Sequence, residues 1–256
     1  IDYCTFGNSK PFRIKVRNIL NDNYIFLYVK KADSSRIYGL ELEHILSPNQ
    51  INFLVHGNTL IEEHISGIPG DDFIENNLDL CSEQDKKEIA KEFVKFNERC
   101  FVRLLGDMRS YNYVMVLTHD FDRIQYRIRA TDFDQQSYEG KIKVYIPQFL
   151  KENNKLVKMT LEVLKDSSIE QYKLEERSLL AKRAVREKGR LKDLLDCMKL
   201  DIISSKEKTN ELKEGLFKLT GDVKFKKSNK NIIATSSFDG SIRIWDICKI
   251  ECLRSL

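Results

Sequence analysis

The first quarter of the chain alternates apolar and polar residues in short runs, which is the period of β-strands. The runs 12–20 and 24–31 flank a turn-forming Asn-Asp-Asn triplet at 21–23, and together they predict a β-hairpin. A second hairpin is predicted for the runs 51–55 and 59–65. We therefore expect this part of the chain to be mainly antiparallel sheet.

One helix is predicted between the two hairpins, over residues 36–46. It should end at Ser47, because the residue before a proline, here Pro48, is pushed out of helical geometry. Residues 66–70, Ser-Gly-Ile-Pro-Gly, then indicate a loop or a domain boundary.

Helical spacing dominates after residue 70. Ser82 followed by Asp85 is typical of a capping box, and the apolar residues beyond it recur on one face of a helix that reaches about residue 101. Two β-rich runs, 113–117 and 126–131, are predicted to pair across a polar turn. Beyond Pro147 three helices are predicted, over 148–164, 168–198 and 205–219.

The last segment, 231–256, returns to alternation. Its residues 232–246 alternate around an Asp239-Gly240 turn, which predicts a hairpin, and the run closes on Trp245-Asp246. The change from helical to alternating sequence falls near residue 230, so we expect a boundary there.

Composition indicates a globular protein, with 41% apolar and 32% charged residues among 256. No apolar run approaches the ~20 residues that cross a bilayer as a helix, so no membrane segment is predicted. The six cysteines contain no CxxC pair, which argues against a disulfide scaffold or a zinc site and favours a reducing, cytoplasmic compartment. The sequence opens at Ile1 rather than at Met, which is consistent with a piece of a longer protein.

Charge is uneven along the chain, whose formal net charge is +4. Residues 165–230 hold 18 basic and 12 acidic side chains, whereas the residues before them are slightly acidic. Aromatic residues are scarce in this basic stretch, so a base-stacking surface for nucleic acid is not expected. The preferred interpretation is a solvated helical surface.

Three side chains with hard oxygen or amide groups are predicted to converge. Asp107 and Asn112 lie in one tight loop, and Asp132 ends the second strand of the hairpin that follows. Pairing of 113–117 with 126–131 would return Asp132 to the side of Asn112. Oxygen clusters of this kind hold Mg²⁺ on the phosphates of a nucleotide.

The spacing of these residues resembles the protein-kinase-like superfamily, especially its aminoglycoside and choline phosphotransferase branch. The resemblance covers about residues 12–220 and rests on four motifs: the catalytic-loop pattern at 106–112, Asp-Phe-Asp at 132–134, a lysine-bearing strand at 26–31 and a hinge-like segment at 60–67.

The resemblance implies a two-lobed α+β fold, with a small antiparallel-sheet lobe carrying one helix and a mainly helical second lobe. The lobes would span 1–66 and 67–230, followed by a short β segment over 231–256.

The resemblance also implies an activity, the transfer of the γ-phosphate of ATP to an unidentified hydroxyl on a protein or small molecule. Asp107 would orient or deprotonate that hydroxyl, with Arg109 beside it in the catalytic loop. Asn112 and Asp132 would hold Mg²⁺, and Lys30 would contact the α- and β-phosphates.

The sequence leaves the choice of phosphate-binding lysine open, and the resemblance assigns the adenine to a short segment. Lys31 rivals Lys30 as the phosphate-binding lysine, because strand alternation points the two side chains to opposite faces. Glu63 and Ile65, in the hinge-like segment, would seat the adenine.

The helix over 36–46 should supply a glutamate partner for the lysine. On a helical wheel Glu41 falls between Ile37 and Ile45 on the apolar side, whereas Glu43 falls opposite. A buried carboxylate needs a partner, so Glu41 is predicted. The alternative is that Glu41 borders the solvated face of the helix.

Three departures from the family pattern bear on activity. Only Gly7 precedes Lys30 where the family has a glycine-rich loop, Leu105 replaces the histidine common before Gly-Asp, and the metal loop reads Asp-Phe-Asp. The alternative function is therefore a weak or inactive pseudokinase that acts as a protein-interaction scaffold.

The tail resembles part of a WD-repeat blade over residues 236–246. A propeller needs ~4–8 blades, so a single partial blade cannot form one. Either the chain is cut from a longer kinase–propeller protein, in which case the tail is a candidate partner surface, or the tail is an edge hairpin or a junction artefact.

Overall fold

The first part of the chain forms an antiparallel sheet with the strand order β1-β2-β3-β5-β4. The structure is a computed structural model, which describes residues 1–5, 9–121 and 123–220 and three strands of the tail. The sheet strands are β1 (Asp2–Tyr3), β2 (Phe12–Arg17), β3 (Tyr24–Lys31), β4 (Phe53–His56) and β5 (Thr59–Glu63). Both predicted hairpins are present, β2 with β3 and β4 with β5.

Helix α1 (Ser34–Leu46) lies between β3 and β4 in the chain. It begins where the Asp33 side chain accepts a hydrogen bond from the Arg36 backbone N–H, which is a normal N-cap. It ends at Ser47, as Pro48 predicts. The helix begins two residues earlier than the sequence indicates.

The central helix of the second part is α3 (Glu83–Arg103). Ser82 and Asp85 form the predicted capping box, and Leu104 ends the helix in a left-handed conformation with φ 56°. Between β5 and α3 lie the short strand β6 (Ile68–Pro69) and α2 (Gly70–Asp72), followed by two further helical turns.

A second sheet, of order β6-β7-β8, packs against α3. Its main hairpin joins β7 (Tyr113–Asp120) and β8 (Arg123–Ala130), so the predicted pairing is confirmed with longer strands. The core between this sheet and α3 is apolar, and its largest fully buried side chains include Phe73, Phe93, Phe96, Tyr113 and Phe133.

Four helices follow: α4 (Asn154–Val163), α5 (Asp166–Arg186), α6 (Lys188–Leu200) and α7 (Lys206–Thr220). The first predicted helix, 148–164, begins as short 3₁₀ turns before α4. The second, 168–198, is two helices, because the backbone leaves helical geometry at Glu187. Helices α5 and α6 bury apolar residues against α1 and the end of α3, which makes a second core.

The tail contains three antiparallel strands in the order β11-β10-β9. These are β9 (Ile232–Ser236), β10 (Ile242–Asp246) and β11 (Glu251–Ser255). The predicted pairing within 232–246 is confirmed, and β11 was not predicted. The Asp239-Gly240 turn lies outside the described residues.

The chain is thus of mixed α+β class, with antiparallel sheet and helices, as predicted. Among the described residues, none of the helices has the length and apolar composition that a membrane crossing requires.

Candidate functional site

The loop after α3 holds its backbone in an uncommon conformation. Asp107 has φ 57°, in the left-handed region that costs a non-glycine residue roughly 1 kcal/mol or more. Its N–H donates to the carbonyl of Val144 at 3.1 Å, and its carbonyl accepts from the N–H of Arg109 at 2.8 Å. The fold around the loop therefore fixes a strained residue at the predicted catalytic position.

Asn112 connects this loop to the segment that follows β8 and contains Asp132. Its side-chain amide donates to the Asp107 carbonyl at 2.7 Å, and its nitrogen lies 3.5 Å from Asp107 Oδ2. The Asn112 carbonyl accepts from the Thr131 N–H at 3.0 Å. This backbone bond holds Thr131, the residue before Asp132, beside Asn112.

Arg109 is an ion-pair partner of the predicted base. Its Nε lies 2.7 Å from Asp107 Oδ1, and its guanidinium also contacts Glu152 at 3.0 Å. The hydrogen bond to Asp107 is the main cause that raises the pKa of Arg109. The arginine therefore holds the Asp107 carboxylate in one orientation.

The segment 132–134 packs against the start of α1. Phe133 is fully buried beside Gly39, where an added Cβ would come within 2.9 Å of the Phe133 Cβ. The Ser35 hydroxyl donates to the Asp134 carbonyl at 2.9 Å. The absence of a side chain at Gly39 therefore lets α1 pack closely against Phe133.

Arg36 lies within a group of three carboxylates. Its guanidinium is 2.6 Å from Asp33, 3.4 Å from Asp132 and 3.7 Å from Asp134, and its side chain is only 5% exposed. Its Nε has no hydrogen-bond partner. Burial, followed by repulsion from Asp132, raises the pKa of Asp134 to about 6, and Arg36 opposes that rise.

Lys30 is buried and forms an ion pair with Glu62 on the neighbouring strand. Nζ lies 2.6 Å from Glu62 Oε2, and the two side chains are 7% and 6% exposed. Lys31, by contrast, is exposed. The geometry therefore favours Lys30 over Lys31 as the phosphate-binding lysine, because the Lys30 side chain is the one that points inward.

The Glu62 carboxylate of this pair lies within electrostatic range of Arg36 and Asp132. Burial is the largest cause that raises the pKa of Glu62, Lys30 and Arg36 lower it, and Asp132 raises it. Groups on the sheet, on α1 and on segment 132–134 therefore act on one another electrostatically.

The prediction that Glu41 is the partner of Lys30 is wrong. Glu41 forms an ion pair with Arg190 of α6 at 2.7 Å, and both side chains are partly exposed. Glu43, which the helical wheel placed on the polar side, is buried and paired with Arg103 of α3. The wheel fails because α1 is covered on more than one face, by α3, α5 and α6.

The hinge-like segment, residues 60–67, begins within β5 and continues past its end at Glu63. The Glu63 carboxylate accepts from the backbone and side-chain amides of Asn52, at 3.2 and 2.6 Å, so that side chain is used within the protein. Ile65 is buried. His64 contacts the Tyr28 hydroxyl at 3.2 Å, and burial, followed by the charge of Arg13, lowers its pKa.

Within the described residues there is no group of three or more His, Cys, Asp and Glu side chains arranged for a metal ion. The predicted pair, Asn112 and Asp132, supplies one amide and one carboxylate oxygen. Mg²⁺ on a nucleotide needs only one or two carboxylates, since phosphates and waters complete its shell. The donor chemistry therefore fits, with Asp132 in contact with Arg36 in this structure.

A cavity of about 620 Å³ opens beside this cluster. Lys31, Arg36, Asp134 and Tyr138 are among its lining residues. A slightly larger cavity, about 650 Å³, lies between α3 and β8, and none of the predicted site residues lines it. Of the predicted site residues, Lys31 lines the first cavity, and Lys30 and Lys31 line a third cavity of about 610 Å³ beside β2 and β3. Volumes of this size suit a small ligand.

Sequence reasoning missed Glu62 and Arg36. Glu62 was detectable, because it lies two residues after Leu60 and strand alternation puts both on one face, where Leu60 is fully buried. Arg36 carried no comparable signal, since Asp132 and Asp134, two of its three partners, lie almost a hundred residues away.

Neither models of known protein families nor the curated proteins contain a match to this sequence.

Proposed function

We propose that this protein is a kinase-like phosphotransferase that moves the γ-phosphate of ATP to a hydroxyl acceptor. The observation that carries the proposal is the contact between Asp107 and Asn112, together with the backbone bond from Thr131 to Asn112 that brings Asp132 to the same loop. Lys30, on β3 of the sheet, is the proposed phosphate-binding cation.

The order of elements also supports the proposal. A small antiparallel sheet with one inserted helix precedes the Asp107 loop, and the helical part follows. This order is the one expected for the two-lobed arrangement that the resemblance implies, in which the nucleotide would lie between the lobes.

Each predicted site residue named below has a defined task in this proposal. Asp107, held by Arg109, accepts the proton of the attacking hydroxyl. Asn112 and Asp132 would hold Mg²⁺, which supplies charge neutralisation at the β- and γ-phosphates. Lys30 contacts the α- and β-phosphates. Positioning and charge stabilisation, rather than covalent chemistry by the protein, account for catalysis in this class of reaction.

The second candidate is a pseudokinase that serves as a scaffold. The observation that favours it is the ion contact of Arg36 with Asp132, which partly neutralises the carboxylate needed for Mg²⁺. Its partner surface would be the basic helices or the WD-like tail.

We place the reaction in the cytoplasm. Cys4, Cys81, Cys100 and Cys197 are free thiols, which agrees with a reducing compartment.

The test is thermal unfolding with and without ATP and Mg²⁺, combined with a phosphoryl-transfer assay. At 100 times the dissociation constant, binding to the native state adds about 2.7 kcal/mol, which raises the melting temperature by about 5–11 °C. Asp107→Asn should keep this shift and lose transfer, whereas Asp132→Asn should lose the magnesium-dependent part of the shift.

Three results decide between the candidates. No shift for the parent protein contradicts any nucleotide site. A shift without turnover for any acceptor favours the pseudokinase. Unchanged magnesium dependence in Asp132→Asn contradicts the metal assignment of that residue.

A further inference from the structure

The register of the sheet puts Lys30 and Glu62 on the same face. In the antiparallel pair of β3 and β5, Lys30 is opposite Leu60, and Glu62 is opposite Tyr28. Glu62 is therefore the diagonal neighbour of Lys30, at a distance that long side chains span. The ion pair follows from strand register and needs no support from a helix.

The pair is buried but not fully satisfied. Glu62 uses Oε2 for Lys30, and its Oε1 is buried without a partner. A lysine ammonium carries three donors, and among the described residues Glu62 is the ion-pair partner of Lys30. Burying charges without further hydrogen bonds lowers the free energy of unfolding, so this ion pair destabilises the fold to some degree.

Helix α1 offers no carboxylate to Lys30. Its two glutamates are both paired with arginines of the helical part, Glu41 with Arg190 and Glu43 with Arg103. The first turn carries Arg36, whose charge faces Asp132 and Asp134. In the part of the chain that the structure describes, the carboxylate for the lysine comes from the sheet.

We propose that Glu62 is the positioning residue of Lys30: it holds the ammonium in place to contact the phosphates of the bound nucleotide. This inference rests on the proposed phosphotransferase function. The physical reason is that a lysine side chain has about 2 kcal/mol of rotamer entropy, and an existing ion pair restricts it before the ligand arrives. Glu62 acts through Lys30 and need not touch the nucleotide.

The experiment is a double-mutant cycle on binding, measured by titration calorimetry of the full chain with ATP in Mg²⁺ and with adenosine. The variants are Glu62→Gln, Lys30→Met and the two combined. Asp22→Asn is the matched control, because it also turns an ion-paired carboxylate of the same sheet region into an amide, but at an exposed turn.

We expect Glu62→Gln to weaken ATP binding by about 10-fold to 100-fold, the range for charge-assisted hydrogen bonds, and to leave adenosine binding unchanged. Adding Glu62→Gln to Lys30→Met should cause no further loss, since the glutamate acts only through the lysine. Glu62→Asp keeps the charge and should recover part of the ATP affinity. Asp22→Asn should bind both ligands like the parent.

Folding of the variants is monitored by melting temperature. If Glu62→Gln does not fold, two other measurements replace it. The ATP affinity of the double variant, which leaves no unpaired buried charge, is compared with that of Lys30→Met. Glu62→Asp then shows whether ATP binding weakens more than adenosine binding.

The inference is overturned if the two single losses add, or if ATP and adenosine weaken equally. Either result with a parent protein that binds ATP leaves the proposed function standing. A parent protein that does not bind ATP overturns both.

Discussion

Replacing Glu43 by glutamine should destabilise the protein far more than the same change at Glu41, two residues earlier on α1. The Glu43 carboxylate is paired with Arg103 of α3, and the two side chains are 3% and 1% exposed. Glu41 is paired with Arg190 of α6, at 28% and 46% exposure. The two glutamates thus share a helix and differ in burial.

The magnitude follows from what each change leaves behind. Glu43→Gln removes the ion-pair partner of the buried Arg103 guanidinium, which then retains the charge of Glu176, a carboxylate that is itself paired with Arg99. Breaking a buried pair in this way costs about 3–5 kcal/mol. An amide still accepts one hydrogen bond, so we expect about 3 kcal/mol, or a melting temperature lower by about 6–12 °C. Glu41→Gln should cost less than about 1 kcal/mol, as exposed pairs do.

The assay is thermal and urea unfolding of both variants and of Glu43→Leu combined with Arg103→Met. The combined variant removes both charges, so its stability should return to within about 1 kcal/mol of the parent. A larger loss for Glu41→Gln than for Glu43→Gln would refute the burial argument and revive Glu41 as the buried carboxylate. A combined variant no better than Glu43→Gln would refute the charge argument.

Two further predictions concern pH and packing. Burial lowers the pKa of His64, so as the pH drops through about 6.5 the unfolded chain binds a proton before the folded chain does, and stability falls. His64→Gln should therefore show a smaller fall in melting temperature between pH 7.5 and 5.5 than the parent protein. An equal fall would contradict this. Gly70→Ala should destabilise the protein by about 1–3 kcal/mol, because the added Cβ would overlap the Tyr113 ring and the Ser110 carbonyl. Gly189→Ala in α6 places its Cβ with no such neighbour within 4 Å and should stabilise the protein by up to about 1 kcal/mol. The midpoints of urea unfolding measure both effects, and equal effects would contradict the packing argument.

The features that sequence predicted well have causes within a few residues. The capping box at Ser82 satisfies backbone donors one turn away, and Pro48 ends α1 through its immediate neighbour. The Asp107 loop and the hairpin after it were placed together because one tight turn fixes where the second strand ends. Predictions from such local features remain correct in the folded protein, because no distant contact alters them.

The features that sequence missed depend on partners far along the chain. Whether Glu41 or Glu43 is buried is decided by α3 and α6, which lie 60 and about 150 residues away. The division of 168–198 into α5 and α6 has the same origin, since both helices pack on α1 and no proline marks the break. A helical wheel assumes one buried face, and α1 has several.

The charge on the first turn of α1 explains why a sheet glutamate partners Lys30. Arg36 is surrounded by Asp33, Asp132 and Asp134, so a carboxylate at position 36 would add a fourth negative charge to the cluster. Like charges at such distances repel, and the Arg36 side chain itself is only 5% exposed, so water would screen a carboxylate there poorly. An arginine there balances the cluster, and the counter-charge for Lys30 must then come from another element. Glu62, one diagonal step across the sheet, is the carboxylate that the register makes available.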